Sequence, residues 1–208
     1  MLTLNLLHRF FASIIIIFIV QHILNHALAL VSVDLHLSFM NGARAIYRNP
    51  VVESLLLISL LAQIVIGMRL VFKAGSKRRG FYQWAQVLSG LYLSFFILLH
   101  VAAILNGRYS AGLDTNFYFA ASGLYAGKLV YFFVPYYFLA IVAVFTHIAC
   151  ALHYYVGLNL SIALANKLAN VIIVVGIIIA ALVLAALSGV FYDVTIPEIY
   201  QAMFEATN

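Results

Sequence analysis

Charge is what this chain has least of. Eleven Lys and Arg and six Asp and Glu make 8% of 208 residues, against about a quarter in soluble domains. So few charges cannot furnish a water-facing shell for a chain that is 66% apolar. That excludes an ordinary soluble domain and, more firmly, a disordered one. Lipid must be the solvent for much of the surface. Cysteine is reduced to Cys150, which lies inside an apolar run, so no intrachain disulfide is possible. The net charge of +5 does not point to nucleic acid, because the basic residues sort by membrane side.

What is present is apolar sequence in long runs. Five stand out, at about 10–32, 51–72, 82–106, 129–157 and 167–191, each long enough for the roughly 20 residues that a bilayer requires. The connections leave no room for a soluble catalytic domain. Residues 1–208 therefore read as a single all-α domain, a bundle of five transmembrane helices. A barrel is excluded because 14–20 and 171–186 are continuously apolar rather than alternating. The first 29 residues also carry the parts of a signal peptide, with Ala27-Leu28-Ala29 as a cleavage motif. The apolar stretch continues to Val33, however, and has an internal match further on, so it is read as a span.

With the N-terminus inside, alternation puts Arg9, Arg69, Lys73, Lys77, Arg78, Arg79 and Lys167 on the inner face. Arg44, Arg48, Arg108 and Lys128 fall outside, together with all six acids. The positive-inside rule then sets the N-terminus in the cytoplasm and the C-terminus outside. The loop at 107–128, rich in glycine and aromatics, reads as an interfacial cap or connector.

In so apolar a chain the histidines are conspicuous. His22, His26, His100 and His147 fall well inside the runs, where a polar side chain is costly and usually functional. Two spacings recur. His8-x3-Ala12-x9-His22 in the first run matches Gln86-x3-Gly90-x9-His100 in the third, and Gln63-x3-Gly67-Met-Arg69 in the second matches His147-x3-Ala151-Leu-His153 in the fourth. The first two helices look like a copy of the third and fourth, with a fifth added. Depth pairs His22 with His100 and Gln63 with His147, and puts His26 one turn further out than His22. Two facing neutral imidazoles are what a bis-histidine haem b needs, and the small Ala12, Ser13, Gly67, Ser89, Gly90 and Ala151 would let a flat macrocycle between helices. The competing reading is that the small residues only permit close helix packing and that the histidines bond to backbone.

Leu7-His8 with Val20-Gln21-His22, Gln86-Val-Leu-Ser-Gly90 leading to His100, and His147-x3-Ala151 together resemble the single-chain, five-helix cytochrome b membrane anchor of succinate dehydrogenase and fumarate reductase. The resemblance covers residues 7–157. It implies a four-helix haem-binding core plus a fifth helix, with one haem b held by His22 and His100. The family's second haem would fall at Gln63 and His147. Gln is a poor iron ligand, so one haem is expected, with His147 bonding to Gln63 or lining a quinone pocket. Helix four has Ala151-Leu-His153 where the family often has Gly followed by Arg, a departure that fits a divergent relative.

The function so implied is electron transfer between a membrane quinone and a partner's redox centres, in the inner (cytoplasmic) membrane. The partners would be flavoprotein and iron–sulfur subunits docked on the cytoplasmic side against the basic 73–79 connection. The anchor itself would not oxidise succinate. His26 and Arg108, near the outer end, are candidate partners for the haem propionates. Arg9, Ser13, Trp84, Gln86 and Ser89, near the inner end, are candidate quinone contacts. Two other functions compete: a cytochrome b subunit of a hydrogenase or formate dehydrogenase (or a stand-alone quinol-reactive cytochrome), and a haem-free transporter or assembly factor. The last would call for discontinuous helices, yet only Pro135 and a few glycines interrupt the runs.

Overall fold

The computed structural model describes residues 3–75 and 80–207. Among them there is no strand. Five helices are long and apolar enough to cross a membrane: α1 (Leu4–Leu28), α3 (Pro50–Ala74), α4 (Phe81–Leu105), α6 (Val130–Asn159) and α7 (Ile162–Leu187). At 1.5 Å per residue the 25 residues of α1 reach about 37 Å, enough for a bilayer core of roughly 30 Å. Large apolar side chains point outward along all five, among them Ile17, Leu61, Leu98, Tyr131 and Val174. Lipid would cover them.

Caps set the ends. Thr3, Ser32, Asn49 and Ser161 each accept a backbone N–H from the first turn of the helix that follows, satisfying donors that lipid cannot. This explains two differences from the sequence reading. Helix α1 begins at Leu4 rather than near residue 10, because Thr3 caps a first turn that lies before the polar His8-Arg9 step from which the apolar run is counted. Helix α7 spans Ile162–Leu187 rather than 167–191, because Ser161 starts it and Gly189, at φ +73°, turns the chain just past its end. The connection between the first two spans is itself a helix, α2 (Val33–Tyr47), capped by Ser32 with Asp34 in its first turn. It turns His36, Met40 and Arg44 inward, one per helical turn.

The spans pack unevenly. α6 lies closely along α7, α4 along α6 and α1 along α3, whereas α1 and α4 share little backbone contact. Small residues permit the closest approach: Ala165, Ala169, Gly176 and Ala180 form a buried stripe on α7. A methyl group built on Gly176 would lie 2.4 Å from Phe145 Cβ. At the end of the bundle that carries α2, the loop folds as a π-turn (Asn106–Ser110) and a short helix α5 (Phe117–Ser122), forming a cap over the helix ends. Leu113, Phe117, Ala121 and Leu124 bury against Val183, Leu187, Ile196 and Tyr200. The chain after α7, with its short helix α8 (Glu198–Gln201), closes this cap: Tyr200 Oη donates to the Asp114 carbonyl at 2.8 Å and Tyr192 Oη donates to that of Ala29.

Candidate functional site

The histidines gather in two layers. In the layer nearer the cap, α1 and α4 bring His22 and His100 face to face, with ring centroids 6.1 Å apart and planes inclined at 66°. Each ring is backed by a phenylalanine four residues earlier on its own helix. Phe18 stacks on His22 at 5.3 Å and 17°, and Phe96 stacks on His100 at 5.0 Å and 15°. Phe18 and Phe96 also occupy equivalent places in the internal repeat, which extends the match between helices one and three. Among the described residues both imidazoles have ring neighbours only, and neither is hydrogen-bonded.

A further run of rings leads from His22 toward the cap. His26 lies 4.7 Å from His22, and His36 of α2 lies 5.4 Å from His26, with Phe117 behind it at 5.4 Å. His36 is 1% exposed and its Nε2 is 3.1 Å from Asn25 Nδ2. Burial, with His22 and Arg44 adding to it, lowers its pKa to about 4, so His36 is a neutral imidazole at physiological pH. The sequence reading passed over His36 because it falls between apolar runs. The signal that finds it is the four-residue spacing of His36, Met40 and Arg44 within the capped stretch 33–47.

Ion pairs close the rim. Arg108, a candidate propionate partner, engages Glu53 of α3 through both terminal nitrogens. Arg44 and Arg48 instead share one carboxylate, Asp114, at 2.8 and 3.8 Å, and Arg48 also donates to Thr115 Oγ1 at 3.1 Å.

The second layer, toward the other end, is paired differently from expectation. Gln63 bonds to His8 at 3.0 Å, not to His147. His147 Nδ1 donates to the Gln86 carbonyl at 3.1 Å and sits 3.3 Å from Ser89 Oγ. The packing explains the exchange: α1 lies along α3 and α4 along α6, so residues at equal depth meet inside each pair. The repeat survives with its roles swapped. His8 aligns with Gln86 and Gln63 with His147, so each half holds one His–Gln contact with the two residue types on opposite helices. Each histidine also lies over a glycine, since a methyl on Gly67 would be 3.4 Å from His8 Cε1 and one on Gly90 would be 3.0 Å from His147 Cε1.

Of the candidate quinone contacts, Gln86 and Ser89 are thus brought to His147. Ser89 also lines a groove between α4 and α6 with Ala85, Tyr92, Ala143 and Thr146. Arg9, Ser13 and Trp84 are exposed on α1 and α4, and Ser13 Oγ donates to the Phe10 carbonyl at 2.7 Å. In the basic connection, Lys73 ends α3, while Lys77, Arg78 and Arg79 lie outside the described residues.

Among the described residues no group of three or more His, Cys, Asp or Glu is arranged to hold a metal ion. An iron carried in a porphyrin asks for only two axial protein ligands. Comparison with family models, with curated proteins and with solved structures finds no match for this chain.

Proposed function

We propose that this protein is a haem b membrane anchor that passes electrons between a membrane quinone and a partner redox subunit, as the succinate dehydrogenase and fumarate reductase cytochromes b do. The observation that carries this reading is the His22–His100 pair. With metal–nitrogen bonds of about 2 Å, two imidazoles on opposite sides of one iron have ring centroids roughly 6 Å apart. The 6.1 Å between the two rings fits that separation, and both rings come from helices that do not pack closely on one another. A haem b held there would supply a one-electron carrier with both axial positions filled, which favours electron transfer over oxygen binding.

The chain's own residues have concrete tasks in this reading. His22 and His100 present bare ring nitrogens, and Phe18 and Phe96 fix the orientation of those rings. The apolar spans exclude water, which keeps the imidazoles neutral and able to bind a metal. In the second layer, the Gln86 carbonyl holds the His147 proton on Nδ1, leaving Nε2 as an acceptor toward a quinol hydroxyl, while the Ser89 hydroxyl beside Nδ1 donates to the same carbonyl. The cytoplasmic N-terminus, the inner-membrane location, and a flavoprotein and iron–sulfur partner at the basic 73–79 connection belong to the same proposal. They rest on charge sidedness and on the family resemblance.

A reduced-minus-oxidised spectrum of the protein purified after haem-replete expression, with pyridine haemochrome quantitation, tests it. One haem b per chain is expected, lost in His22→Ala and in His100→Ala. Absence of a Soret band would end the proposal, and two haems per chain would overturn the single-site reading.

A further inference from the structure

Beside the His22–His100 pair, the inward face of α2 and the last turns of α1 collect buried polar atoms that have no partner. His36 is 1% exposed and Asn25 4%. With Asn25 Nδ2 donating to His36 Nε2, the His36 proton must sit on Nδ1, and that N–H meets no acceptor. Asn25 Oδ1, His26 Nδ1 and Arg44 Nε are likewise without partners. Each such atom is costly away from water. Several together, next to the proposed axial ligands, mark a place built to meet a polar group.

The charges say which kind. Arg44 at 2.8 Å and Arg48 at 3.8 Å share the single carboxylate of Asp114, so among the described residues these two guanidinium groups have one counterion between them. Arg108 has its own, since Glu53 meets both of its terminal nitrogens. A buried N–H donor on the same helix face as two guanidinium groups with one counterion between them suits a carboxylate. A haem carries two carboxylates at one edge of its ring. His26, one turn beyond His22, lies between the iron ligand and His36.

We propose that α2 supplies the carboxylate-binding end of the haem site, with Arg44 and His36 holding the propionates and Asn25 acting as a positioning residue that keeps the His36 proton on Nδ1. This rests on the axial-ligand reading of His22 and His100. It gives the propionates to Arg44 rather than to Arg108, and it gives the amphipathic helix between the first two spans a direct part in cofactor binding.

The test separates the two claims. The full-length protein in detergent, expressed without haem supplementation, is titrated with haem and with haem dimethyl ester, whose carboxylates cannot ionise. The wild type is expected to give a bis-histidine spectrum with both and to favour haem by about tenfold or more, as loss of one or two charge-assisted hydrogen bonds implies. Arg44→Gln and His36→Gln should bring that preference to within about threefold, and Arg44→Lys should retain most of it. The propionate bending mode in resonance Raman spectra should shift in Arg44→Gln, a readout that needs no equal affinity or stability. An unchanged preference and an unshifted mode in Arg44→Gln, or loss of the preference in Arg108→Gln instead, would overturn the assignment while leaving the axial pair standing. Failure of either porphyrin to give a low-spin spectrum in the wild type would overturn the axial pair and this inference with it.

Discussion

At the scale of single residues, what distinguishes this protein is how its few polar side chains are satisfied, and how some are not. Gln63 and His8, His147 and Gln86, Arg108 and Glu53 each meet a partner, as burial in lipid demands. His36 is neutral because it is buried, and this links its proton to stability. Its pKa falls from 6.5 to about 4 on folding, so the unfolded chain binds a proton more readily than the folded one. Stability is therefore full above pH 6.5 and is lost as the pH falls toward 4. The groups facing His36 are Asn25, His22, His26 and Arg44, and none of them is an acid. Thermal denaturation in detergent should show Tm falling between pH 6.5 and 4, with a shallower fall in His36→Gln. Equal slopes for the two proteins would mean that His36 takes up no proton on unfolding.

At the scale of helices, glycine marks both contact and freedom. Gly176 is where α7 meets Phe145 of α6, and any side chain there collides with the Phe145 Cβ at 2.4 Å. Gly176→Val should destabilise by about 1–3 kcal/mol, the usual range for overpacking, seen as a lower Tm in detergent. A Tm within a degree of wild type would show that α6 and α7 do not pack as described. Gly42 is the opposite case, an exposed glycine within α2 whose added methyl meets nothing within 4 Å. Gly42→Ala should stabilise α2 by about 0.5–1 kcal/mol, raising Tm, and unchanged or lower stability would argue against a helix there. That α2 is a helix was readable from Ser32, Asp34 and the His36–Met40–Arg44 spacing, once attention left the apolar runs.

At the scale of the whole molecule, five helices are long and apolar enough to cross a membrane, and an odd number of crossings would put the segments before α1 and after α7 on opposite sides. The proposed orientation sets Lys73 in the cytoplasm and the exposed Tyr109 outside. In a Cys150→Ser background, Lys73→Cys should react with a membrane-impermeant maleimide only from the cytoplasmic side, and Tyr109→Cys only from the other. The reverse pattern would invert the bundle and move any cytoplasmic partner to the α2 end.

The amino-acid order by itself determined that the chain spans a membrane, how many times, and which histidines share a depth. These follow from run length, from the 8% of charged residues and from helical rise, all of them local properties. Even the Phe18–His22 and Phe96–His100 stacks are local, a consequence of four-residue spacing on one helix. Only the tertiary structure decided who pairs with whom. Counting along the helices pairs Gln63 with His147, yet they belong to different helix pairs, and the close packing of α1 on α3 and of α4 on α6 gives each another partner. It also decided that Arg108 is engaged by Glu53, fifty-five residues away in sequence, and that Arg44 and Arg48 share the one carboxylate of Asp114. Such outcomes depend on which helix faces meet, and small residues such as Gly67, Gly90 and Gly176 settle that through contacts no single segment contains.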